Sequence, residues 1–124
     1  MVAGWFAAGA AMAGLGVLLG AFGAHGLRER IAPDLLAVYD TGIRYHLVHA
    51  LALLAVSWAA ERWSNPWVGA AGWLFLAGIV VFSGSLYLLA VTGTRWLGAI
   101  TPIGGLCFLV GWAVLAVGVL RAGG

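Results

Sequence analysis

From Met1 to Leu27 the chain carries no formal charge, and the same holds between Arg44 and Glu61, between Arg62 and Arg95, and between Arg95 and Arg121. A bilayer-spanning helix needs about 20 mostly apolar residues, and one charge at its centre costs about 3 kcal/mol. The spacing of charges therefore predicts four transmembrane helices, over roughly 5–27, 41–60, 67–91 and 97–120, in one domain covering 1–124. The expected fold is all-α, an integral membrane four-helix bundle. Only 8% of the residues are charged and 64% are hydrophobic, whereas about a quarter of a soluble domain is charged, so a water-soluble fold is not expected. The first stretch lacks a basic leading segment and is too long for the apolar part of a signal peptide. It is expected as a retained helix.

The longest loop, RERIAPDLLAVYD at 28–40, contains Pro33 followed by Asp34, a good helix start, and then Leu35, Leu36, Tyr39 and Ile43 at helical spacing. This predicts a short interfacial helix between the first and second spans, with a bend at Thr41-Gly42. One long helix through residue 60 is the alternative. The loops around ERWSNPW and TGTRW are short, which predicts an up-down bundle of antiparallel neighbours. Trp5, Trp58, Trp63, Trp67 and Trp73 fall toward one membrane face and Trp96 toward the other, while Trp112 lies inside a span. Arg28, Arg30, Arg44 and Arg95 on one side outnumber Arg62 and Arg121 on the other, which predicts both termini outside.

A net charge of +2 carried by scattered arginines is no nucleic-acid footprint, so nucleic acid is excluded as a partner. The single Cys107 lies in an apolar run and reads as a small core residue. Lipid gives apolar side chains little reason to associate, so close backbone approach at small residues has to hold the helices together. Gly16 and Gly20 form a GxxxG pair, and Gly104, Gly111 and Gly118 recur every seven residues as one stripe. These glycines are expected to pack helices within the chain, with a homo-oligomer interface as the alternative.

Alternating helix directions bring the end of the first span, the start of the second, the end of the third and the start of the fourth to one membrane face. Nearly all in-membrane polar groups cluster there: His25, then Arg44, Tyr45, His46 and His49, then Ser83, Ser85 and Tyr87, then Thr101. At about 1.5 Å per residue, His49, Ser83 and Ser85 lie roughly 10 Å below the interface. Polar side chains at that depth are costly and face the bundle interior, pair, or mark a pathway. The expected ligand pocket is a one-sided cup formed by His25, Arg44, Tyr45, His49, Ser83, Ser85, Tyr87 and Thr101. Several members have plainer roles: His25 as a cap of its helix, Arg44 paired with Asp40, and the hydroxyls bonded to backbone. His49, the deepest, is ranked above His46, and its loss is expected to destabilise the protein or empty the pocket more.

Four blocks, LGAFGAHGL at 19–27, TGIRYHLVHALALL at 41–54, FSGSLYLL at 82–89 and ITPIGGLCFLVGW at 100–112, resemble the family known as domain of unknown function 423, which includes transmembrane protein 256. The resemblance covers essentially the whole chain and implies four transmembrane helices but no activity. It places the family pattern on Gly20, Gly23, His25, Gly26, Tyr45, His49, Ser83, Gly84, Tyr87, Pro102, Gly104, Gly105 and Trp112. His46 departs from that pattern, where glutamine is expected.

The functional expectation is a membrane-embedded binding or scaffold module, such as an accessory subunit of a membrane complex. Membrane lipid, a larger complex or a second copy are the expected partners, and a bacterial cytoplasmic (inner) membrane the location. A redox protein using haem, a metal or a quinone, and a small-solute transporter or channel acting as an oligomer, are the competing readings. No catalytic residue, metal site or resident cofactor is assigned. An enzyme is not expected, since there is no nucleophile with a base in reach and no paired carboxylates.

Overall fold

The computed structural model describes residues 2–123. Four helices follow one another: α1 (Val2–Leu27), α2 (Pro33–Arg62), α3 (Pro66–Thr92) and α4 (Arg95–Gly123), each long and apolar enough to cross a membrane. Among the described residues there is no strand.

The helix boundaries have local causes. Ala32 is extended, Pro33 occupies the first turn of α2 and Asp34 favours its positive end. Asn65 accepts hydrogen bonds from the backbone of Trp67 (2.9 Å) and Val68 (3.4 Å), capping α3 with Pro66 in its first turn. Gly93, at φ 71°, ends α3 in the left-handed conformation, its N–H bonded to the Leu89 carbonyl at 2.7 Å.

The separate interfacial helix expected over 28–40 does not form as an element of its own. Pro33 starts α2 itself, which runs unbroken for 30 residues, about 45 Å at 1.5 Å per residue. Thr41 bonds its hydroxyl to the Ala37 carbonyl one turn back at 3.0 Å. Gly42, where a bend was expected, is buttressed by the Tyr87 ring and Leu86. With no cap or stop between residues 33 and 62, the first turns continue the transmembrane helix beyond the hydrocarbon.

α2 and α3 form the centre, each with 44% of its most apolar window buried, against 17% for α1 and 22% for α4. α1 lies along α2 and α4 along α3, whereas α2 and α4 barely meet. The main core joins Trp5, Leu53 and Val56 to Val68, Phe75, Ile79 and Phe108. A smaller cluster at the other end holds Leu27, Tyr39 and Ala90.

Glycine supplies the close approach on both outer helices. The stripe of Gly104, Gly111 and Gly118 faces Phe82, Phe75 and Trp67 of α3, so it packs within the chain. Gly16 faces Leu47 and His46, and it belongs to a second seven-residue stripe with Gly9 and Gly23, set against α2 at Ala50 and Tyr39. Gly20 is looser: a methyl there would stand 3.6 Å from Ile43, an ordinary contact. Two helices also contain a wide π turn, Gly23–Leu27 at the end of α1 and Ile79–Ser83 within α3. The second is packed between α2 and α4.

Candidate functional site

The inner face of α2 carries two imidazoles three residues apart, both almost wholly buried. His46 Nε2 lies 2.8 Å from the Met12 carbonyl of α1, which can only accept, so this nitrogen carries the proton. Its Nδ1 then accepts from the Tyr87 hydroxyl of α3 at 2.8 Å. One side chain thus ties three helices together. His49 has the opposite tautomer: Nδ1–H donates to the Tyr45 carbonyl one turn back at 2.8 Å, and Nε2 accepts from the Trp112 indole N–H of α4 at 3.0 Å. Both rings are neutral and both have their two nitrogens committed.

The hydroxyls pair in the same way. Ser83 donates to the Gly42 carbonyl of α2 at 2.7 Å. Ser85 of α3 and Thr101 of α4 share a 2.6 Å bond. Among the described residues, no buried side-chain nitrogen or oxygen lacks a partner. The structure therefore brings Ser83, Ser85, Tyr87 and Thr101 to one half of the bundle and sets His49 near the middle of α2, as cross-links between helices rather than as free walls of a cup. His25 sits on the π turn ending α1 and Arg44 on the outside of α2, both exposed. Among the described residues the one ion pair joins Arg95 to Asp34 at 3.7 Å, so Arg44 is not paired with Asp40.

An open space lies beside this network. Where α2 and α4 diverge, a cleft of about 470 Å³ is lined by Tyr45 and His49 of α2, Phe82 of α3, and Pro102, Gly105, Leu106, Phe108, Leu109 and Trp112 of α4. The His49 ring stacks on Phe108 at 3.6 Å and 9°. Tyr45 packs on Phe82 at 4.8 Å, and Trp112 on Phe75 at 4.6 Å. From Pro102 to Trp112 the wall of α4 runs about 15 Å, half of a hydrocarbon core of about 30 Å. The cleft is one leaflet deep, apolar and aromatic.

Sequence reasoning missed Phe82 and Phe108, which face the cleft because of helix rotation alone. It set His46 below His49, whereas His46 is the one that reaches two other helices. The signal for the His49–Trp112 bond was available: an indole N–H inside a span needs an acceptor, and imidazole is one of few at that depth.

Comparison with known proteins bears on this geometry. Residues 19–105 match the family described as Protein of unknown function (DUF423), a stretch that contains most of the cross-links and much of the cleft. The UPF0382 membrane protein YwdK of Bacillus subtilis is 50% identical over 114 residues, covering 91% of this chain and 93% of that one. A UPF0382 membrane protein of Staphylococcus epidermidis is 45% identical, covering 94% of each chain. The UPF0382 inner membrane protein YgdD of Escherichia coli is 40% identical, covering 85% of this chain and 80% of that one. No solved structure matches. With its four membrane-spanning helices and matches of this length, the chain belongs to the DUF423 family of membrane proteins.

Proposed function

We propose that this protein is a membrane-embedded binding module that holds the hydrocarbon chain of a lipid-soluble molecule in the cleft between α2 and α4. The observation that carries this reading is a pairing of opposites. Among the described residues the buried polar side chains all have partners in backbone carbonyls or other side chains, while an aromatic cleft of about 470 Å³ stays open to one leaflet. That volume falls within the range of small-molecule sites, about 300–1,000 Å³. Binding rather than catalysis fits a site in which both imidazoles have their nitrogens occupied, and the same occupancy argues against axial ligation of a haem. On this reading membrane lipids are partners, and the exposed faces of α1 and α4 leave room for a larger membrane complex. The name of the Escherichia coli relative supports a bacterial inner membrane, and the arginine distribution supports both termini outside.

The test is native mass spectrometry of protein extracted in mild detergent, comparing the natural chain with Gly105→Leu. A methyl at Gly105 meets only the Phe82 ring, at 3.7 Å, so a larger apolar side chain enters the cleft without touching backbone. The natural chain is expected to carry one lipidic adduct more than the variant, whose helicity is unchanged. Equal retention by both would overturn the proposal.

A further inference from the structure

A second cavity, between the end of α1 and the beginning of α2, has a different chemistry. It measures about 240 Å³ and is lined by Gly20, Gly23, Ala24, Arg28, Leu36 and Asp40. Its walls are held in place: the buried Tyr39 donates its hydroxyl to the Leu19 carbonyl, and the Tyr39 ring fills the space a side chain at Gly23 would need. Asp40 follows Tyr39 directly and is carried to the cavity on that anchored turn. Arg28 faces the same space from the end of α1. The two bring opposite charges to one cavity without pairing with each other, the described ion pair being Arg95 with Asp34.

Opposite charges in the membrane interface attract more strongly than in bulk water, so an arginine and an aspartate that line one small cavity unpaired suit a group that carries both signs. The volume equals about eight waters at ~30 Å³ each, enough room for a phosphate joined to a two-carbon ammonium. Arg presents a donor fork that matches phosphate, and a primary ammonium offers donors to a carboxylate. A quaternary choline has no such donors and is typically held by aromatic rings, none of which lines this cavity. A purely anionic headgroup would face the Asp40 carboxylate. We propose that this cavity binds the headgroup of an ethanolamine phospholipid, with phosphate on Arg28, ammonium on Asp40, and acyl chains passing down over Gly20 into the hydrocarbon. The site lies between α1 and α2 and is independent of the cleft between α2 and α4.

The experiment is native mass spectrometry of the full chain released from vesicles holding equal parts phosphatidylethanolamine, phosphatidylcholine and phosphatidylglycerol with identical acyl chains. The natural protein is expected to retain phosphatidylethanolamine at least fivefold over either other lipid. Asp40→Asn should erase the preference over phosphatidylcholine, Arg28→Gln should lower retention of phosphatidylethanolamine, and Gly105→Leu should leave the preference intact, which separates this site from the cleft. Soluble phosphoethanolamine at millimolar concentration should not displace the lipid, since the acyl chains contribute to its hold. Displacement would show a site for a free zwitterion and overturn the lipid assignment. Equal retention of the three lipids, or an unchanged preference in a normally helical Asp40→Asn protein, would overturn the proposal outright.

Discussion

His46 shows how one side chain settles the rotation of three helices. Its protonated Nε2 needs a carbonyl and its bare Nδ1 a donor, and α1 and α3 each supply one. Glutamine, which the family resemblance places here, offers the same pair of an N–H donor and an oxygen acceptor on a side chain of similar reach. The substitution His46→Gln is therefore expected to cost under about 1 kcal/mol, while His46→Ala, losing two interhelical bonds and leaving a cavity, costs about 2 kcal/mol. Unfolding by a denaturing detergent, followed by far-ultraviolet circular dichroism, measures both. Equal losses would mean that glutamine does not replace the two bonds of the imidazole at this site. His49 reaches one other helix rather than two, so its loss is expected to cost less stability than that of His46. This reverses the ranking that depth alone suggested for stability. Depth is visible in a sequence because it follows from distance to the nearest charge, whereas partners depend on the rotation of neighbouring helices.

At the scale of elements, the seven-residue glycine stripes do the work of a hydrophobic seam. A seven-residue repeat keeps one face of a helix toward its neighbour along a left-handed crossing. At Gly104 an added methyl would strike the Phe82 backbone, which cannot yield as a flexible side chain can. Gly104→Ala is expected to destabilise the protein by about 2 kcal/mol, as overpacking does, whereas Gly105→Ala, one residue along, is close to neutral. Thermal unfolding of the two variants side by side tests the assignment, and a matched response would mean that α4 does not rest on α3 through this stripe. The stripe on α4 was legible in the sequence. The one on α1 was half hidden, because Gly16 draws the eye toward Gly20 as a GxxxG pair while its working partners are Gly9 and Gly23. The expected interfacial helix failed for a related reason: Gly42 reads as a hinge, but its missing side chain makes room for Tyr87.

For the whole molecule, the four spans were legible because charge is expensive in lipid, and each observed helix encloses its expected range. That the hydroxyls of α3 and α4 share one half of the bundle was legible too, since antiparallel order dictates it. What the groups do there was not, because bonding among themselves and opening a cup differ only by small rotations. The cleft was invisible, since it arises from the divergence of two helices that share no motif. The arrangement with α2 and α3 inside predicts that a carbene probe dissolved in the bilayer labels α1 and α4 more heavily per residue than α2 and α3. Peptide mapping of the labelled protein reads this directly, and uniform labelling would contradict the arrangement.

The pattern of packing has a consequence for how such a chain is made. The extensive contacts join helices adjacent in sequence, α1 to α2, α2 to α3 and α3 to α4. Each new span therefore meets the helix made just before it as soon as it leaves the insertion machinery. Assembly can keep pace with translation, and the helix made last, α4, is the one whose arrival closes the His49–Trp112 bond and completes the wall of the cleft.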